Sequence, residues 1–114
     1  MIVHVVLFRP KPTLTADERE ALVAALGHAI VGIPSIRRAR IGRRIRLNRP
    51  GYETAMVEHY EYSAILEFDS EPDLRAYLEH PSHVELGRRL FASADGVLAY
   101  DFEYVDPDRL SAGG

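Results

Sequence analysis

The chain reads as a small α+β domain with the element order β-α-β-β-α-β. Three observations predict this. A run of β-branched residues opens the sequence at Ile2–Phe8. Two helical stretches carry their own start signals, and each is followed by strand-like alternation of apolar and polar residues. At 114 residues the chain is long enough for one core and too short for two.

Ile2-Val-His4-Val-Val6-Leu-Phe8 places His4, Val6 and Phe8 on one face of a first strand and Val3, Val5 and Leu7 on the other. Both faces are apolar, so cover is expected on both sides. Thr15-Ala-Asp-Glu18 is a capping box ahead of Leu22, Leu26, Ala29 and Ile30 at helical spacing. The helix is expected to stop near Gly32, with Pro34 just beyond. A second strand spans 36–45, with Ala39, Ile41 and Ile45 opposite Arg38, Arg40, Arg44 and Arg46. Asn48-Arg-Pro50-Gly51 turns the chain in a loop. A third strand spans 60–68, with Tyr60, Tyr62, Ala64, Leu66 and Phe68 on one face.

Asp69-Ser70-Glu-Pro72-Asp73 starts a short helix, which Pro81 must interrupt near His80 because proline lacks the amide proton and crowds the preceding turn. Ser82-His83-Val84-Glu85 has the form of a capping box and restarts the helix, which carries Leu86, Leu90 and Phe91. A fourth strand follows Gly96 and puts Leu98, Tyr100 and Phe102 on one face. The order is the split βαβ arrangement of a ferredoxin-like fold with a four-stranded antiparallel sheet. Helices cover one sheet face, and the apolar second face calls for a partner, most simply a second copy. Residues 1–106 form the single domain, and 107–114 are expected as a flexible tail.

Composition narrows the function. No cysteine is present, which removes disulfides, thiolate nucleophiles and cysteine-based zinc sites. The opening apolar run is too short for a signal peptide or a membrane span, so a soluble, cytoplasmic protein without membrane partners is expected. Charge is lopsided: residues 1–52 hold ten Lys/Arg against three Asp/Glu, and the remainder holds four against fourteen. Seven arginines fall between Arg37 and Arg49. No nucleic-acid motif or interleaved aromatic accompanies them, so they read as a solvated strand pairing with acidic segments of this chain or a second copy, and no nucleic-acid partner is expected.

The richest segment for chemistry is Tyr77-Leu-Glu-His80-Pro81-Ser-His83. His83 falls in the first turn of a helix, where the dipole disfavours imidazolium and favours a neutral base. Tyr77 could donate a hydrogen bond to a developing enolate oxygen. The structural alternative is that His83 packs locally and Tyr77 fills the core. His80 and His83 are separated by a proline and lack a carboxylate at matching spacing, so no metal is expected. Asp101 needs a partner if it points inward, and an edge position or an arginine is expected.

Several separated segments together resemble the stress-responsive A/B barrel (Dabb) family of the dimeric α+β barrel superfamily. They are Val3–Phe8, Gly32-Ile-Pro34-Ser-Ile36, Tyr62–Ser70, Leu74–His83 and Val97–Phe102. The resemblance covers residues 2–102 and implies a homodimer with a pocket for an apolar or aromatic small molecule in each subunit. Enzymes of that family include polyketide cyclases and hydroxynitrile lyases, so it implies a cofactor-free cyclase or lyase acting by proton transfer on a polyketide-like or aromatic carbonyl substrate. By the same resemblance His83 and Tyr77 stand where the cyclases carry their acid/base pair, and His4 matches a pocket histidine. Tyr62 replaces a further histidine of the cyclases. The pocket lining expected here is His4, Phe8, Leu26, Tyr62, Ala64 and Ala99. Two other functions stand beside this: a non-enzymatic stress-responsive or small-molecule-binding dimer, and a cofactor-independent monooxygenase.

Overall fold

The computed structural model describes the backbone of residues 1–113 and side chains through Leu110. Strands β1 (Ile2–Pro10), β2 (Arg38–Arg43), β3 (Tyr62–Phe68) and β4 (Ala94–Glu103) form one antiparallel sheet in the order β2-β3-β1-β4. Helix α1 (Ala16–Val31) joins β1 to β2, while α2 (Glu71–Glu79) and α3 (Pro81–Ser93) join β3 to β4. This is the ferredoxin-like α+β order read from the sequence.

Helix α1 begins where the capping box puts it: Thr15 Oγ1 accepts from Glu18 N, and Glu18 Oε1 accepts from Thr15 N, both at 3.1 Å. Leu22, Leu26 and Ile30 recur every four residues and are buried. Gly32 closes the helix. Ser70 caps α2 by accepting from Asp73 N.

The register fixes which side chains share a face. Phe8 lies opposite Tyr62 and Val97, Val6 opposite Ala64 and Ala99, and His4 opposite Leu66 and Asp101. These form the helix-covered side, where Phe8, Leu66 and Phe68 are fully buried with Leu22, Leu26, Leu74, Leu86 and Leu90. On the other side Val5 lies opposite Ile65 and Tyr100, and Val3 opposite Glu67 and Phe102. There Ile65, Tyr100 and Phe102 are 38, 57 and 49 % exposed. One side is a packed core and the other an open, largely apolar sheet.

Three expectations change. The cap of α3 is His80 and not Ser82: the residue before Pro81 is held extended (φ −67°, ψ 136°), and its Nδ1 accepts from Ser82 N at 3.0 Å. Glu85 is drawn away to Arg88 and Arg89, at 2.7 and 3.2 Å, so no capping box forms. Those guanidiniums hold its carboxyl down at about 2. Phe91 is exposed, because it lies one step round the helix from the buried Leu86–Leu90 line. The regular part of β2 ends at Arg43, leaving Ile45 exposed. Within the expected tail, Pro107–Gly113 take up a short helix α4. Pro107 supplies its preset φ, and Arg109 N and Leu110 N donate to Asp106 O.

Candidate functional site

Three elements converge at one end of the covered face. Strand β1 supplies His4, the last turn of α2 supplies Tyr77, and the first turn of α3 supplies His83. The Tyr77 ring lies between the two imidazoles, its centroid 5.5 Å from His4 and 4.5 Å from His83, with Phe68 at 5.4 Å. The helix break makes this possible. By stopping α2 at Glu79 and restarting at Pro81, it turns His83 back over Tyr77.

The hydrogen bonds assign the histidine protons. His83 Nδ1 lies 3.0 Å from Leu78 O, and a carbonyl only accepts, so Nδ1 carries the proton and neutral His83 keeps its lone pair on Nε2. Burial pushes the His83 pKa below the ordinary value; the bond to Leu78 opposes this, and the nearby His4 adds to it. Burial drives the Tyr77 hydroxyl up to about 12, with the Asp101 charge adding to it. Tyr77 is therefore a neutral donor at any ordinary pH.

His4 Nδ1 is 2.5 Å from Asp101 Oδ1. An ionised carboxylate only accepts, so the ring is oriented with Nδ1–H toward β4. The His4 side chain is 7 % exposed and Asp101 44 %, so the pair runs from the interior to the surface. There Asp101 borders a groove of about 420 Å³ between the start of α2 and the end of β4. Asp101 thus sits on an edge strand, as expected, but its partner is a histidine and not an arginine.

The other residues expected in the pocket divide. Phe8, Leu26 and Ala64 are buried in the core, at 0, 5 and 1 % exposure. Ala99 lies across from Val6 on the edge strand. Tyr62 stacks on Phe8 with centroids 5.2 Å apart and borders a different groove near the start of α1. His80 is occupied in capping α3. Among the described residues no group of three His, Asp or Glu side chains could hold a metal ion, and no helix is long and apolar enough to cross a membrane. Asp101 is the residue whose place in the site the sequence does not show: it marks only a charge in need of a partner. Its parity with Ala99 and Val97 has meaning once β4 is known to pair with β1 in this register.

Comparison with known proteins agrees with the fold. A dimeric ferredoxin-like protein of unknown function from Thermobifida fusca is 25 % identical, with a TM-score of 0.73 over 90 % of each chain. A hydroxynitrile lyase from Passiflora edulis superposes with a TM-score of 0.78 at 15 % identity, covering 93 % of this chain and 96 % of that one. A mutant of the cofactor-independent oxygenase SnoaB of Streptomyces nogalater gives 0.67 at 16 % identity, over 92 and 93 %. No curated protein matches the sequence significantly. The stress responsive A/B barrel domain matches residues 2–104, which takes in all four strands and α1 to α3. The chain belongs to the stress responsive A/B barrel (Dabb) domain family.

Proposed function

We propose that the protein is a homodimer that binds an apolar or aromatic carbonyl compound in each subunit and performs cofactor-free proton-transfer chemistry on it. The observation that carries this reading is the Tyr77 ring held between two imidazoles, one of which, His83, keeps an unprotonated Nε2. In an aldol-type cyclisation, His83 Nε2 removes a proton from the carbon beside a carbonyl. The Tyr77 hydroxyl donates to the oxygen that gains charge, and the imidazolium returns the proton to the new alkoxide. In a lyase reaction the same base takes the hydroxyl proton of a cyanohydrin; the carbon–carbon bond breaks to an aldehyde, and cyanide leaves with the proton. His4, fixed by Asp101, orients the ligand.

The dimer rests on the exposed Ile65, Tyr100 and Phe102 and on the dimeric state of the Thermobifida fusca relative. A location in the cytoplasm accords with the absence of cysteine.

The test is turnover of a panel of aromatic cyanohydrins and linear polyketide-like ketones by the protein and by His83→Ala and Tyr77→Phe. Loss of turnover in His83→Ala, with the dimer intact, supports the mechanism; unchanged turnover overturns it. One observation favours a second reading, a binding dimer without turnover: Tyr77 and His4 are only 2 and 5 % exposed. Ligand-induced histidine shifts without product would select it. Oxygen uptake with a phenolic substrate would instead select the monooxygenase.

A further inference from the structure

At the opposite end of the covered face the arginine-rich segment forms a second site. Arg19 from α1 and Arg43, Arg44 and Arg46 from the end of β2 line one groove of about 680 Å³, beside Tyr62 and Glu61. Along β1, the Phe8 level of this groove lies four residues beyond His4, about 13 Å at strand spacing, so it is separate from the histidine cluster.

The arginines here are incompletely used. Arg37 and Arg38, at the other end of the segment, pair with Asp69 at 2.8 Å and Glu67 at 3.8 Å. Arg44 gives one N–H to His59 Nδ1 at 2.6 Å. Arg19 reaches Glu61 only at 3.5 Å, and its Nε is buried with no hydrogen-bond partner. A buried, unmade guanidinium bond is costly unless something fills it. Among the described residues Arg43 and Arg46 have no carboxylate within ion-pair distance. Ala16, the first residue of the sixteen-residue helix α1, also borders the groove and adds the positive end of its dipole. Four guanidiniums line the groove against Glu20 and Glu61, with the Glu53 carboxylate beside Arg44, so positive charge remains in excess.

We propose that this groove binds a phosphate monoester group of a small molecule. A phosphate meets that excess with negative charge spread over three oxygens, which match several guanidinium forks at once. A single carboxylate offers only two oxygens. The groove opens on the helix side of the sheet, since Arg43 lies opposite Tyr62 and Tyr62 stacks on Phe8. It therefore stays free when the opposite sheet face is covered. The site does not depend on the reading of the histidine cluster.

The experiment is a titration of the whole protein with inorganic phosphate and with phenyl phosphate at constant ionic strength, followed by the arginine Nε–H and backbone NMR signals. Saturable shifts of Arg19, Arg43 and Arg46 by both probes are expected. Affinity should fall by about tenfold or more in the double variant Arg43→Ala/Arg46→Ala, the size of effect expected for losing charge-assisted bonds. Both residues are exposed, so the variant should fold, and the histidine signals should stay in place. Shifts that do not saturate, that sodium chloride reproduces, or that survive in the double variant overturn the proposal. So does an oligonucleotide of about 20 residues that binds far more tightly than either probe with a steep salt dependence, which would make the arginines part of a nucleic-acid tract.

Discussion

The two faces of the sheet are built from the same alternating strands and have opposite fates. On one, Phe8, Ala64, Leu66 and Phe68 pack to near-zero exposure under three helices. On the other, Ile65, Tyr100 and Phe102 stand a third to more than half exposed although they are as apolar as the core. Hydrophobicity alone therefore does not decide burial in this chain. Parity toward the crossover helices separates most of these residues, although Val3 on the open side is also buried, at 1 % exposure. The contrast also separates roles: the covered face holds the polar cluster in a packed surround, and the open face is the area the proposed dimer would bury.

The difference can be broken from either side. Phe8→Ala should remove the largest buried contact of the covered face and cost about 3–5 kcal/mol in urea unfolding. A cost near that of a surface change would mean the core is not centred where Phe8 stacks on Tyr62. On the open face Ile65→Lys/Tyr100→Lys should leave the fold intact and convert the proposed dimer to monomer in sedimentation. A persistent dimer would place the interface elsewhere. Asp101→Ala, which strips a buried His4 of its acceptor, should cost about 1–3 kcal/mol, while Asp101→Asn, which keeps an acceptor, should cost less. Equal losses would show that the carboxylate charge matters more than the hydrogen bond. Thr15→Ala should cost about 1 kcal/mol by unmaking the capping box at the mouth of α1.

The smallest effect concerns pH. His83 has a folded pKa below its unfolded value, so in the window between them the unfolded chain holds the extra proton. Stability then falls as pH drops through that window and is unaffected above the ordinary histidine value. Relative to His83→Gln, the protein should lose a modest part of its acid stability there. The acid limb of any turnover should lie below the ordinary histidine pKa, and a limb above it would remove His83 as the base.

Local signals are legible in the sequence and long-range ones are not. The Thr15–Glu18 box, the Gly32 stop, the Ser70 cap and the interruption at Pro81 are each decided within a few residues, and the structure keeps them. The cap of α3 escapes a sequence reading because Ser82 carries the ordinary capping-box pattern. The actual cap, His80, follows from the extended backbone that Pro81 imposes on it. Tyr77 and His83 are six residues apart, so a helix break suffices to expect them together. His4 and Asp101 are separated by 97 residues, and their contact depends on β4 pairing with β1 in one register. A slip by one residue would turn Asp101 to the open face. The division of the arginines into paired and unpaired ones is equally hidden, since it depends on where β2 ends.

The bond between His4 and Asp101 also has a consequence in time. Strand β1 precedes the other three strands along the chain and β4 follows them, yet the two are neighbours in the sheet. During synthesis, β1 must wait with one edge unpaired, which exposes it to pairing with other chains. The cluster cannot assemble by local steps, because its last member arrives only after this most distant contact has closed. Competence at the site is therefore a late event in the birth of the molecule, and a folding intermediate that has β1, β3 and the helices in place would still lack the oriented His4.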